Sequence, residues 1–346
     1  MLKPLDGSPL MSENCWRAIL NSVNERAKAE KKVRCLEWGA GNSTIGFVRS
    51  ALNMKDEFEL VSVEHQTTFF PYLTESVIDT FLGSKNKTGL KISWASLEKP
   101  AIKLSQLKDV LKRHQNLKNS SLTWQILTGN KRLQYAEQFR PDFSPSLYKR
   151  LKQSVKFALI TLAYWTWIVQ AVIRPQKNPV FKEVQEDFPR KFLHNPEAGC
   201  LSIKNSKITV TLWHLPEIRN FFWNRGLLLD GSIFQLPDFV DVPIGGQFDI
   251  IFIDGRARVS CMKRVYYDKL LKDQGYLFVH DAYRTEMAEA FKLFGPTHTF
   301  LQGSNITLNG KERCHRQFGF PLVQVGDSKE TLRWKIMQEL FVYQNT

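Results

Sequence analysis

Four acidic residues stand where the chain turns out of an apolar run: Glu37, Glu64, Asp254 and Asp281. Glu37 leads into Trp38-Gly39-Ala40-Gly41-Asn42-Ser43. The two glycines leave the main chain bare, so a ligand can approach it closely. A helix opening at Ser43 would aim its unpaired N–H groups at that ligand. Glu64, followed by His65, lies 64 − 41 = 23 residues after Gly41, the length of one strand–helix–strand step. An acid at such a strand end can accept hydrogen bonds from both hydroxyls of a ribose. Asp254-Gly255-Arg256-Ala257-Arg258 and His280-Asp281 close two later runs. His280 suits a general base titrating near neutral pH. Asp254 and Asp281 together suit a divalent cation that would acidify an acceptor hydroxyl. Arg256 and Arg258 suit a carboxylate or phosphate. Each has a plainer alternative: a turn cap for Asp254, a satisfied core histidine for His280, surface ion pairs for the arginines.

A dinucleotide fingerprint needs Gly-x-Gly-x-x-Gly, and Thr44 breaks it at the third glycine. The pattern Glu37-x-Gly39-x-Gly41-x-Ser43 instead resembles motif I of the class I S-adenosylmethionine (SAM) methyltransferases, with Ser43 where many members have a third glycine. The resemblance implies that Glu37, Gly39, Ala40, Gly41 and Ser43 hold the methionine end of the cofactor. It implies that Glu64, beside His65, holds the ribose. The acidic turn near the adenine is either Asp230-Gly231-Ser232, with Asp230 and Ser232 as contacts, or His214-Leu215-Pro216-Glu217. Residues 248–258, Phe-Asp-x-Ile-x-Ile-Asp-Gly-Arg-Ala-Arg, resemble a subgroup of methyltransferase-like proteins and, distantly, the plant glucuronoxylan methyltransferases. That places Asp254 beside cofactor and acceptor. Metal-dependent O-methyltransferases carry acids at the positions of Asp254 and Asp281, but Ala282 stands where they usually have Asn or Asp. The activity implied is SAM-dependent methyl transfer to a hydroxyl of a small molecule or glycan, with Asp254, His280, Asp281 and Arg256 nearest the chemistry. The competing reading is a non-catalytic core on a protein that binds a membrane or polyanion.

The elements that would position these residues follow from periodicity. A helix over residues 12–30, capped by Ser12, leads into a strand over 33–37, and a second helix follows the glycine turn. Strands are expected over 58–65, 207–212, 248–254 and 275–281, with a helix over 69–82. The run at 248–253 is apolar throughout, as in a strand covered on both faces. Two tail strands, 299–308 and 318–325, are expected to pair around Asn309-Gly310, with a closing helix over 332–343. The expected fold is α/β and Rossmann-like: a seven-stranded, mostly parallel sheet with a C-terminal antiparallel hairpin and a large, mainly helical insertion. Residues 1–83 and 207–346 form the two parts of the domain, and 84–206 form the insertion.

Charge and cysteines bound the setting. The chain has 346 residues and a net charge of +14. Residues 84–156 hold 16 Lys or Arg against four acids, so that segment alone contributes 16 − 4 = +12. Such a block favours an anionic surface, and residues 84–174 are the part suited to an anionic membrane. Nucleic acid is disfavoured as partner because the chain lacks an Asn/Asp-Pro-Pro-Tyr/Phe motif. Residues 157–173 are largely apolar, flanked by basic residues and ended by Pro175. One membrane crossing there would separate strands that must share a sheet, so an interfacial or buried helix is expected. Five scattered cysteines without Cys-x-x-Cys spacing suggest neither zinc nor a disulfide framework. A reducing cytoplasmic setting is expected, with peripheral membrane contact as the variation on it.

Overall fold

The computed structural model describes residues 9, 11–83, 89–96, 182–183, 198–216, 237–282, 287–295, 297–302, 306–308, 311–313 and 338–345. The first helix, α1 (Glu13–Ala29), buries Cys15, Ile19, Ser22, Val23 and Arg26 along one stripe. Then come β1 (Lys32–Trp38), α2 (Asn42–Leu52), β2 (Glu57–Glu64) and α3 (Phe70–Leu82). Next are β3 (Lys91–Ser96), β4 (Lys182–Glu183), β5 (Gly199–Lys204), β6 (Ile208–His214) and a short α4 (Pro237–Val240). β7 (Phe248–Ile253), α5 (Arg258–Tyr267), β8 (Leu271–His280) and a short α6 (Ala288–Phe291) follow. Last are β9 (Thr299–Gln302), β10 (Ile306–Leu308), β11 (Lys311–Arg313) and β12 (Gln338–Gln344).

Ten strands form one sheet in the order β4-β3-β5-β6-β2-β1-β7-β8-β12-β9. β1 lies at its centre, between β2 and β7, and both pairings are parallel. β6 adds in parallel to β2, and β8 in parallel to β7. From β1 the chain first builds outward on the β2 side and later on the β7 side. That divergence falls at the carboxyl ends of β1, β2 and β7, where open parallel sheets take ligands.

The expected seven-stranded, mostly parallel Rossmann-like sheet is not what the chain builds. Of nine strand pairings, four are parallel and five antiparallel. The sheet is mixed, and antiparallel strands flank it on both sides. On one side, segments expected to belong to a mainly helical insertion contribute β3, β4 and β5. The turn from β5 to β6 is local chemistry: Asn205 Oδ1 accepts from the N–H groups of Lys207 at 2.9 Å and Ile208 at 2.7 Å. On the other side, the expected closing helix over 332–343 is replaced by β12, which pairs antiparallel with β8 and β9. Leu340 and Phe341 are buried there, and β-branched and aromatic side chains suit that pleated surface. The expected tail hairpin is also displaced. β10 and β11 form their own two-stranded sheet across Asn309-Gly310. The expected strand at 318–325 lies outside the described residues, as do the apolar stretch 157–173 and most of the basic block. Among the described residues no helix is long and apolar enough to cross a membrane.

The sheet is covered on both faces. Along β7, Ile251 and Ile253 join a cluster with Trp38, Phe239, Met262, Phe291 and Phe341. Ile250 and Phe252 join another with Ile19, Phe47, Phe70 and Leu340. This alternation follows from the strand pleat. It explains why the run at 248–253 is apolar throughout.

Candidate functional site at the strand ends

Gly39 is required by the fold. Its φ of +96° lies in the left-handed region, and a Cβ built on it would meet the Gly255 nitrogen at 2.3 Å. The turns after β1 and β7 therefore touch backbone to backbone. Trp38 O fixes that contact by accepting from the N–H groups of Asp254 at 2.8 Å and Gly255 at 2.7 Å. Gly39 and Ala40 in turn donate to Val63 O at 2.9 and 3.1 Å, tying the turn to β2.

Gly41 differs. Its φ of −178° is extended backbone, and no heavy atom of the described residues lies within 4 Å of a Cβ built there. Neither conformation nor packing within the described chain calls for glycine at this point. Gly41 precedes α2 directly, and its N–H donates to Thr44 Oγ1 at 2.9 Å.

Glu37 sits beneath this turn, 0% exposed. Its Oε1 accepts from Ser43 Oγ, and its Oε2 accepts from Thr44 Oγ1 and Ser62 Oγ, both at 2.6 Å. Burial pushes the Glu37 carboxyl up to about 7. The three hydroxyls pull against that rise and nearby Asp254 adds to it. Glu37 and Ser43, expected as direct cofactor contacts, thus bond to each other. Together with Thr44 they pin the first residues of α2 to the end of β1.

Glu64 is buried at the end of β2. Its Oε1 accepts from the backbone N–H groups of His65 at 2.8 Å and Gln66 at 2.7 Å. The His65 ring lies edge-on to Phe239, centroids 5.5 Å apart, with Nδ1 3.2 Å from Glu64 Oε1. Of the two turns left open for the adenine, His214, Leu215 and Pro216 of one are described, and Glu217 lies outside the described residues. His214 pairs in register with Glu64, and Leu215 N–H donates to Glu64 O at 2.8 Å. Asp230 and Ser232 lie outside the described residues.

Asp254 and Asp281 stand at the ends of adjacent strands, with a guanidinium between them. Arg258 Nη2 lies 3.0 Å from Asp281 Oδ2 and 3.4 Å from Asp254 Oδ1. His280 Nδ1–H donates to Asp254 Oδ1 at 2.6 Å, and its Nε2–H donates to Glu339 Oε1 at 3.3 Å. Burial disfavours charge on His280, but Asp254, Glu339 and Asp281 outweigh it and raise the ring to about 10. The expected base titrating near neutral pH is therefore corrected: two carboxylates hold the ring as an imidazolium. A divalent cation fits this arrangement poorly, because Arg258 and His280 already supply the positive charge. Among the described residues no group of three or more His, Cys, Asp or Glu is placed to hold a metal. Arg256 is exposed at the turn, whereas Arg258 is buried.

Sequence reasoning did not single out Ser62, Thr44, Glu339 or the site role of Ser12. Ser62 was legible in principle as a polar residue inside an apolar strand. Ser12 stands at the N-cap of α1 but makes no side-chain cap bond. Its hydroxyl and its N–H both donate to Glu339, the N–H at 2.7 Å. A bond to a carboxylate is the stronger use of that hydroxyl. No family model, curated protein or solved structure matches this chain.

Proposed function

We propose that the chain binds SAM at the β1–α2 turn and transfers its methyl group to an oxygen of a small molecule or glycan. The observation that carries the reading is Gly41: a glycine that packing among the described residues does not require, with no heavy atom of those residues within 4 Å of a Cβ built there, between Glu37 and the start of a helix. A bare turn backed by helix N–H groups suits the carboxylate end of an amino-acid-like ligand. Glu64, one strand over, suits the ribose hydroxyls. Support for the reading is local to these turns and does not rest on the architecture of the sheet.

Methyl transfer from a sulfonium is an in-line displacement, so the protein's main task is to orient the acceptor. Asp254 borders the glycine turn and is 22% exposed at its side chain. Its Oδ1 is held by His280 and Arg258, and its Oδ2 has no hydrogen-bond partner among the described residues. Oδ2 is the oxygen left to orient an acceptor hydroxyl or take its proton. His280, already protonated, fixes Asp254 and does not abstract a proton itself.

Titration calorimetry of S-adenosylhomocysteine into the full chain tests the reading. Wild type should bind. Gly41→Leu, whose Cβ meets no heavy atom of the described residues, should weaken binding at least about tenfold while melting as wild type does. Absence of binding by wild type, or equal binding by both, overturns it.

A further inference from the structure

A chain of buried polar groups runs from both ends of the sequence into the site. Glu339 on β12 is 0% exposed. It takes two hydrogen bonds from Ser12, ahead of α1, and one from His280 at the end of β8. Through His280 it reaches Asp254 at the end of β7. A buried carboxylate is costly unless its oxygens are satisfied, and here they are. We propose that Glu339 is a positioning residue: it holds the His280 ring with Nδ1–H on Asp254 Oδ1, leaving Asp254 Oδ2 beside the glycine turn for a ligand. The identity of that ligand rests on the methyl-transfer reading; the relay does not.

The geometry supports this from each side. The ring has two nitrogens, and a carboxylate from a different strand occupies each. Asp281 Oδ1 lies farther off, 3.9 Å from Nδ1, and its other oxygen meets Arg258. From α1, Cys15 faces Glu339 and Ser12 with its thiol pushed up to about 12, chiefly by burial, so it stays neutral. The charged groups facing the ring are thus Asp254, Asp281 and Glu339, with Arg258 beyond them. Without the Glu339 charge, Asp254 and the more distant Asp281 are the counter-ions left among the described residues, and both lie on the Nδ1 side of the ring. The ring then has less reason to stay protonated or to keep its orientation.

The experiment uses the full chain labelled with nitrogen-15 at histidine. In wild type, both ring nitrogens of His280 should carry protons at pH 8. In Glu339→Gln, which keeps the shape and can still accept from Ser12, the ring should lose a proton at lower pH than in wild type. Its affinity for S-adenosylhomocysteine should fall about tenfold. Phe341→Leu, on the same strand, should lower stability without moving either readout. The proposal is overturned by a neutral His280 at pH 8 in wild type, by unchanged titration and affinity in Glu339→Gln, or by Phe341→Leu reproducing both effects. If wild type binds no S-adenosylhomocysteine, the methyl-transfer reading fails and the histidine titration alone decides the relay. If Glu339→Gln does not fold, the wild-type spectrum at pH 8 decides it.

Discussion

Gly39 and Gly41, two residues apart, do different work. Gly39 combines a left-handed φ with contact against Gly255, so a side chain there strains the backbone and collides with main chain. Gly39→Ala should cost about 1–3 kcal/mol of stability. Gly41→Ala meets no heavy atom of the described residues at an extended φ and should change stability by no more than about 0.5 kcal/mol. Chemical denaturation of the two variants checks this, and equal losses would show that both glycines serve packing alone. Glu37, Glu64, Asp254 and Asp281 were legible in the sequence because each ends an apolar run, which is local information. Glu339 was not. Its partner His280 is 59 positions away and Ser12 is 327 away. No spacing rule joins residues so distant.

Periodicity marked the five parallel-paired strands, β6, β2, β1, β7 and β8, but not most of the antiparallel strands that flank them. The runs at 33–37, 58–65 and 248–254 correspond to β1, β2 and β7 because continuous or alternating apolar residues set them apart. β12 was misread as helix. Gln338-Glu339-Leu340 favours helix, and only the short run Phe341-Val342-Tyr343 favours strand. Tertiary pairing on both edges settles that conflict. β3 was hidden at the start of the basic block, and β5 at the end of a segment expected to be mainly helical. One contact between them is sharp: a Cβ on Gly199 would meet Trp94 Cζ2 at 2.3 Å and Ala95 O at 2.6 Å. Gly199→Ala should therefore loosen β3 from β5, at a cost of about 1–3 kcal/mol. Hydrogen exchange should speed up at residues 91–95 and remain slow in β1 and β7. Uniform acceleration across the sheet, or none, would contradict this account of the added strands.

For the molecule as a whole, two buried groups tie stability to pH in the same direction. Glu37 rises from the ordinary 4.5 to about 7 on folding, and His280 from 6.5 to about 10. Each binds its proton more tightly in the folded chain than in the unfolded one, so each favours the fold at low pH. The Glu37 contribution is complete below 4.5 and lost as pH rises through about 7; that of His280 is complete below 6.5 and lost as pH rises through about 10. Together they should lower stability by on the order of a few kcal/mol from mildly acidic to alkaline pH. Melting curves across that range should show the decline. Glu37→Gln should flatten its lower part and His280→Gln its upper part. A profile that rises from pH 5 to pH 9 in wild type would mean that neither group is held as described. The same carboxylates and imidazolium stand at the carboxyl ends of β1, β2, β7 and β8, so the proposed ligand turn and the pH response share one set of residues.

The most direct measurement is a crystal structure of the full chain grown with S-adenosylhomocysteine. The ligand should lie with its amino-acid end over Gly41 and the start of α2, its ribose at Glu64, and its sulfur toward Asp254. A ligand bound elsewhere, or a Gly41 turn that stays empty at saturating ligand, would contradict the account.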